Sequence, residues 1–182
     1  MTERPLLFID VDGPLNPFRS APGRRPSGYI AHTMLPDSWT AMHGGGTGGF
    51  QVRPLTVLLD PAHGPKLQAL PFEPVWATTW EHEANEWIAP HLGLPPLPVV
   101  EWERTHFTDP AGLHWKTRAL AEYAAGRPFA WIDDEITPHD TDWARERYPA
   151  HCLLLRIAPE LGLRDGDFAE LREWAEAHAP VA

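Results

Sequence analysis

The 182-residue chain reads as an α/β protein, a three-layer sandwich around a central parallel sheet of about five strands, with a β-hairpin flap and no large cap. Three observations predict it. Short apolar runs recur and end in acidic or hydroxyl-bearing turns, segments of helical periodicity separate them, and such alternation favours a parallel sheet covered on both faces. A hydrophobic content of 43% supports one substantial core, so a single domain over residues 1–182 is expected, with a flap insertion at about 19–60.

Leu6 to Asp10 is an apolar strand that stops at the acidic turn VDGP. Many of the 21 prolines then fall between residues 14 and 74, where they exclude any long helix and predict loops and strands. Tyr29 to Leu35 and Phe50 to Leu59 read as extended arms of a hairpin. The glycine-rich run from Gly44 to Gly49 would form its tip, and that run lacks the Lys-Ser/Thr of a phosphate-binding P-loop. Val75 to Thr78, Pro98 to Trp102, Phe129 to Asp133 and Leu153 to Ile157 are the further strands.

Between them, Glu81 to His91 places Ala84, Trp87, Ile88 and His91 on one side of a helix, and His114 to Ala125 repeats Leu113, Thr117, Leu120 and Tyr123 at helical spacing. Asp167 to Glu170 has the form of a capping box opening a last helix that carries Phe168, Leu171 and Trp174. The nine tryptophans are assigned to core and boundary packing rather than to a base-stacking platform.

Composition narrows the function classes. A formal charge of -10 opposes broad adhesion to nucleic acid, although it leaves room for local recognition of a single phosphate. One cysteine, Cys152, excludes an internal disulfide framework and suggests a buried, inert thiol in a reducing compartment. No apolar stretch approaches the length needed to span a bilayer, and the amino terminus runs straight into a strand, so a cytoplasmic protein without a membrane partner is expected.

Asp10 and Asp12 stand two apart in IDVDGP, directly after the first strand, with Gly13 allowing a sharp turn. One carboxylate can attack phosphorus while a neighbouring carboxyl protonates the departing oxygen and later activates water. FAWIDD supplies a second strand ending in paired acids, Asp133 and Asp134, and two acidic strand ends converging in a parallel sheet form a hard-oxygen site suited to Mg²⁺. Thr78 adds a hydroxyl at a third strand end, and Lys116 adds a compact cation near the start of the helix predicted from His114 to Ala125.

In this order IDVDGPLNP, VWATTW, HWKTRAL and FAWIDDE resemble motifs one to four of the haloacid dehalogenase-like superfamily. The resemblance implies a Rossmann-like sheet, with Asp10 as nucleophile, Asp12 as general acid and base, Thr78 as a donor to phosphoryl oxygen, and Lys116 as the countercharge holding nucleophile and phosphate together. It implies Mg²⁺ held by Asp10, the backbone carbonyl of Asp12, and Asp133, with Asp134 acting from behind or through water. Which of Asp133 and Asp134 binds directly is left open. The acid at position 12 points to phosphatases rather than to dehalogenases or transport ATPases.

The interval from Thr79 to Lys116 is too short for an inserted cap, so the site is expected to be open to a phosphorylated substrate, either a small molecule or a nucleic-acid end. Thr79 is assigned to substrate binding, as are Arg19, Arg24 and Arg25, whose guanidinium groups suit further phosphates. The overall pattern resembles domains of this superfamily associated with bacterial RNA repair. Zinc hydrolysis is disfavoured, since neither His-Glu-x-x-His nor a compact His/Cys cluster occurs. A non-catalytic phosphate- or protein-binding module on the same fold is the competing reading.

Overall fold

The computed structural model describes residues 4–21, 23–44 and 52–178. Its centre is a parallel sheet of β1 (Leu6–Ile9), β4 (Glu73–Trp76), β5 (Phe129–Asp133) and β6 (Cys152–Arg156), in the order β4-β1-β5-β6. β1 lies in the middle, with Ile9 aligned to Trp76 on one side and to Ile132 on the other. The carboxyl ends of three strands therefore stop side by side.

Alternation along the strands separates two apolar faces. Leu7, Ile9, Trp76, Ala130 and Ile132 pack on one side against α2 (His63–Gln68), α3 (Ala89–Leu92) and α6 (Asp165–His178), through Leu67, Leu92, Phe168 and Leu171. Leu6, Phe8, Val75, Phe129 and Trp131 pack on the other side against Leu120 and Ala124 of α4 (Thr117–Ala124) and against Tyr148, which follows α5 (Pro138–Arg147). Among the described residues no helix is long and apolar enough to cross a membrane.

Among the described residues the sheet has four strands rather than about five. Pro98 to Trp102 contributes only a parallel bridge between Trp76 and Val99, closed by Trp76 N–H donating to Pro98 O and Val100 N–H donating to Trp76 O. Pro95, Pro96 and Pro98 have no N–H to extend a ladder, which confines the segment to a brief contact at the β4 edge.

The hairpin forms as expected, with β2 (Ile30–Met34) antiparallel to β3 (Leu55–Leu59). The proline-rich region nevertheless holds two short helices, α1 (Asp37–His43) and α2. α1 starts directly after Pro36, whose extended backbone serves as its cap, and ends at Gly44; residues 45–49 of the glycine run lie outside the described residues.

The helix expected from Glu81 is a π-helical turn over Ala84–Ile88 that runs into α3, burying Ala84 and Ile88 and leaving His91 exposed. The α6 helix begins at Asp165, earlier than its expected capping box, because Asp167 sits inside the first turn and accepts from Arg164 N–H at 2.7 Å. Cys152 is half-buried rather than buried, and burial pushes its thiol pKa up.

Candidate functional site

Strand parity builds the acidic centre. Ile9 and Ile132 face the α6 side of the sheet, so Asp10 and Asp133, one residue further, turn towards α4. Lys116, immediately before α4, meets them there. Its Nζ lies 2.7 Å from Asp133 Oδ2 and 3.2 Å from Asp10 Oδ2, and its side chain is only 3% exposed.

These groups are mutually dependent. Burial alone would depress the lysine, but the Asp10 and Asp133 carboxylates outweigh it and hold Lys116 firmly protonated. Burial raises the Asp10 pKa well above the ordinary carboxylate range; Lys116 opposes that rise, and Asp133 and Asp12 add to it. The Asp10 carboxylate is also held by Val11 N–H, which donates to Oδ1 at 2.9 Å, and by the hydroxyl of the fully buried Thr78.

One oxygen from each of Asp10, Asp133 and Asp134 falls within 4.8 Å of the others, a group that could hold a cation. The two acids of FAWIDD differ in their freedom. Asp133 accepts from Lys116, from Trp131 Nε1–H at 3.3 Å and from Glu135 N–H at 2.9 Å. Asp134 is held instead through its backbone, whose carbonyl accepts from Arg156 Nε–H at 2.9 Å. Burial first, and the charges of Asp133 and Glu135 next, push the Asp134 carboxyl up to about 6, while Arg19 pulls it down. Gly13 packs against this carboxylate at φ 93°, and a Cβ there would stand 2.6 Å from Asp134.

Asp12 is outside the acidic group. Its Oδ1 accepts from Asn16 Nδ2–H at 2.7 Å and its Oδ2 from Trp80 Nε1–H at 2.9 Å. Both contacts aim it into a cleft of about 520 Å³ between the hairpin with α1 and the loops carrying Thr79, Trp80 and His106. Its carboxylate therefore stands apart from the Asp10, Asp133 and Asp134 oxygens that could hold a cation.

The structure thus brings together Asp10, Thr78, Lys116, Asp133 and Asp134, with Asp12 at the cleft wall and Thr79 exposed on the same wall. Arg19 is exposed but lies close enough to influence Asp134. Arg24 and Arg25 are exposed on the following loop, outside the lining of this cleft.

No model of a known protein family, no curated protein and no solved structure matches this chain. The site stands on its own geometry.

Several contributors escaped the sequence. Asn16 holds Asp12 and also accepts Leu58 N–H at 3.0 Å, tying the loop after β1 to β3; its place four residues after Asp12 in a tight turn was a usable sign. Trp80 lies within VWATTW and was legible as part of that motif. Asp140 accepts from His114 N–H, from the Thr117 hydroxyl and from Thr137, thereby fixing the segment around Lys116 to the first turn of α5. Thr137 and Asp140 form a capping box, a local sign of where α5 starts, but nothing local shows that Asp140 also holds His114 and Thr117. Arg156 carries no local sign, because it acts on the distant Asp134.

Proposed function

We propose that the chain is a divalent-cation-dependent phosphomonoesterase of the haloacid dehalogenase-like type, working through an aspartyl phosphate on Asp10. The observation that carries this reading is the buried Lys116 ammonium bridging Asp10 and Asp133, where three strand ends and the segment before α4 converge. A structural ion pair needs one acid. Here a third, Asp134, is added beside the pair with its side chain comparatively uncommitted, a costly concentration of negative charge unless cationic groups complete it.

Asp10, Asp134 and, behind them, Asp133 would hold the cation, and Asp134 is the freer ligand because Asp133 already accepts from three donors. A hard cation such as Mg²⁺ would supply charge neutralisation for the acids and for a phosphate. Lys116 orients the Asp10 carboxylate and lends its charge to phosphate oxygens. The Thr78 hydroxyl is placed to donate beside the same carboxylate.

Asp10 attacks phosphorus, an Asp10 O–P bond forms, and the ester P–O bond breaks with its electron pair leaving on the alcohol oxygen. Asp12 gives that oxygen a proton. The resulting carboxylate then takes a proton from water as the water oxygen bonds to phosphorus, the Asp10 O–P bond breaks, and inorganic phosphate leaves.

The test is phosphate release from small phosphomonoesters, nucleotides and 3′- or 5′-phosphorylated oligonucleotides, with Mg²⁺ or with EDTA. Release that needs Mg²⁺ and disappears in Asp10→Asn supports the reading. Turnover retained by Asp10→Asn, or absent from every ester, overturns it.

A further inference from the structure

The cleft into which Asp12 points has a composition of its own, and it bears on what the departing group is. Phe18, Trp39, Met42, Trp80 and His106 form much of its wall, and no lysine or arginine is among the described residues that line it. Phe18 and Met42 leave 49% and 77% of their surface exposed, a concentration of large apolar side chains beside an acid that is unusual unless something covers them. Its polar wall is partly spent on the protein itself. Asn16 is committed to Asp12 and Leu58, and the Ser38 hydroxyl to Glu83, so the hydroxyls of Thr56, Thr79 and Thr105 remain.

The wall is also held in place before any ligand arrives. Trp39 Nε1–H donates to Arg53 O at 3.0 Å and its ring lies 3.7 Å from that of His43. Ser38 N–H donates to Glu83 Oε1 at 2.9 Å, latching the start of α1 across the cleft to the segment after Trp80. His106 is kept at φ 51°, a left-handed conformation uncommon for a side-chain-bearing residue, with its ring against Trp115. Trp80 serves twice, as wall and as the donor that holds Asp12.

Resting on the phosphomonoesterase reading above, we propose that this cleft receives the leaving group of the substrate, and that this group is uncharged and carries a flat ring system, as a nucleoside or an aryl alcohol does. The acid that must protonate the departing oxygen lines the cleft, so the oxygen's substituent extends into it. A volume of about 520 Å³ accommodates such a group, and sites of this kind are mostly apolar with a few placed polar contacts. A second phosphate on the leaving group would enter a cleft with no lysine or arginine among its described lining residues, beside Asp12, in a chain of net charge -10. A polyol would leave most of its hydroxyls facing aromatic carbon.

Two measurements test this. In the first, adenosine is titrated into the full chain without Mg²⁺ and followed by tryptophan fluorescence and calorimetry. Binding is expected, at least tenfold weaker in Trp39→Ala and unchanged in Trp143→Ala, a tryptophan outside the cleft. Met42→Arg, at a position too exposed to affect folding, is a second probe and should also weaken it. In the second, kcat/KM is compared for AMP and 1-naphthyl phosphate against glycerol 3-phosphate and fructose 1,6-bisphosphate, with the ringed monoesters expected to lead by at least tenfold.

Phosphate release without adenosine binding, or with equal use of glycerol 3-phosphate or the bisphosphate, overturns the leaving-group assignment and leaves the phosphomonoesterase reading intact. Adenosine binding through Trp39 with no release from any ester overturns both.

Discussion

Replacing Lys116 by Met keeps the length of the side chain and removes the one cation that touches both Asp10 and Asp133. Breaking a buried ion pair by deleting one partner costs about 3–5 kcal/mol, because the remaining charge stays buried without compensation. Two carboxylates lose their partner here, so the cost belongs at the upper end, a large share of the roughly 5–15 kcal/mol that holds a domain folded. With a urea m-value of about 2 kcal/mol/M, the midpoint should fall by about 2 M, read from tryptophan fluorescence in EDTA at pH 8.

The deficit should depend on pH with a definite sign. Burial already raises the Asp10 pKa, and losing Lys116 removes the larger of the two side-chain influences that lower it, leaving only the Thr78 hydroxyl. The folded variant then binds more protons than its unfolded chain above about pH 4, so its stability is retained at low pH and lost as pH rises through the raised folded pKa. The gap from wild type should therefore be widest at pH 8 and shrink towards pH 5. The double variant Lys116→Met/Asp133→Asn should regain part of the loss. A deficit below about 1 kcal/mol at pH 8, or one equal at pH 5 and pH 8, would refute the electrostatic account of this centre.

Asp12→Asn should lower kcat by about 10²- to 10⁴-fold and cost about 1–3 kcal/mol of stability, since its amide NH2 must face one of the two donors, Asn16 Nδ2–H or Trp80 Nε1–H; steady-state phosphate release and urea unfolding check these. Gly13→Ala places a Cβ 2.6 Å from Asp134 at φ 93°, and should cost about 1–3 kcal/mol in urea unfolding and weaken the response to Mg²⁺. Mg²⁺ at about a hundred times its Kd should stabilise the wild type by about 2.7 kcal/mol and fail to do so in Asp134→Asn, read as a thermal shift. That stabilisation should grow from pH 5 to pH 7.5, because the cation binds the deprotonated acid and burial holds the Asp134 carboxyl up at about 6.

What could be read from the sequence was whatever a local pattern dictates. Apolar runs ending in acids placed β1 and β5, and the same runs placed Asp10 and Asp133 at neighbouring strand ends, because parity and parallel pairing leave little choice. Pro98 to Trp102 was misjudged because its apolar side chains suit an edge, while the decisive limit was the missing N–H groups of its prolines. The helices within the proline-rich region were hidden for a related reason: prolines exclude long helices yet fit well in the first turn of short ones. The capping box of Thr137 and Asp140 marks the start of α5 locally, but the hold of Asp140 on His114 and Thr117, like that of Arg156 on Asp134, could not be found by any local rule, since it fixes remote residues.

The two aspartates of the turn after β1 show how position within one turn can separate chemical environments. Asp10 faces a buried lysine and two further acids, and Lys116, Val11 N–H and the Thr78 hydroxyl stabilise its charge. Asp12, two residues on, is fastened by the neutral donors of Asn16 and Trp80 and looks into a cleft with no lysine or arginine among its described lining residues. On the proposed mechanism, environments this different would assign nucleophile and proton carrier without requiring different residue types. They would also couple the proton carrier to the cleft. Asn16 joins Asp12 to β3 of the hairpin, and Trp80 is itself cleft wall, so a ligand that shifts either one moves the Asp12 carboxylate. Recognition of the leaving group and its protonation would then share the same two side chains.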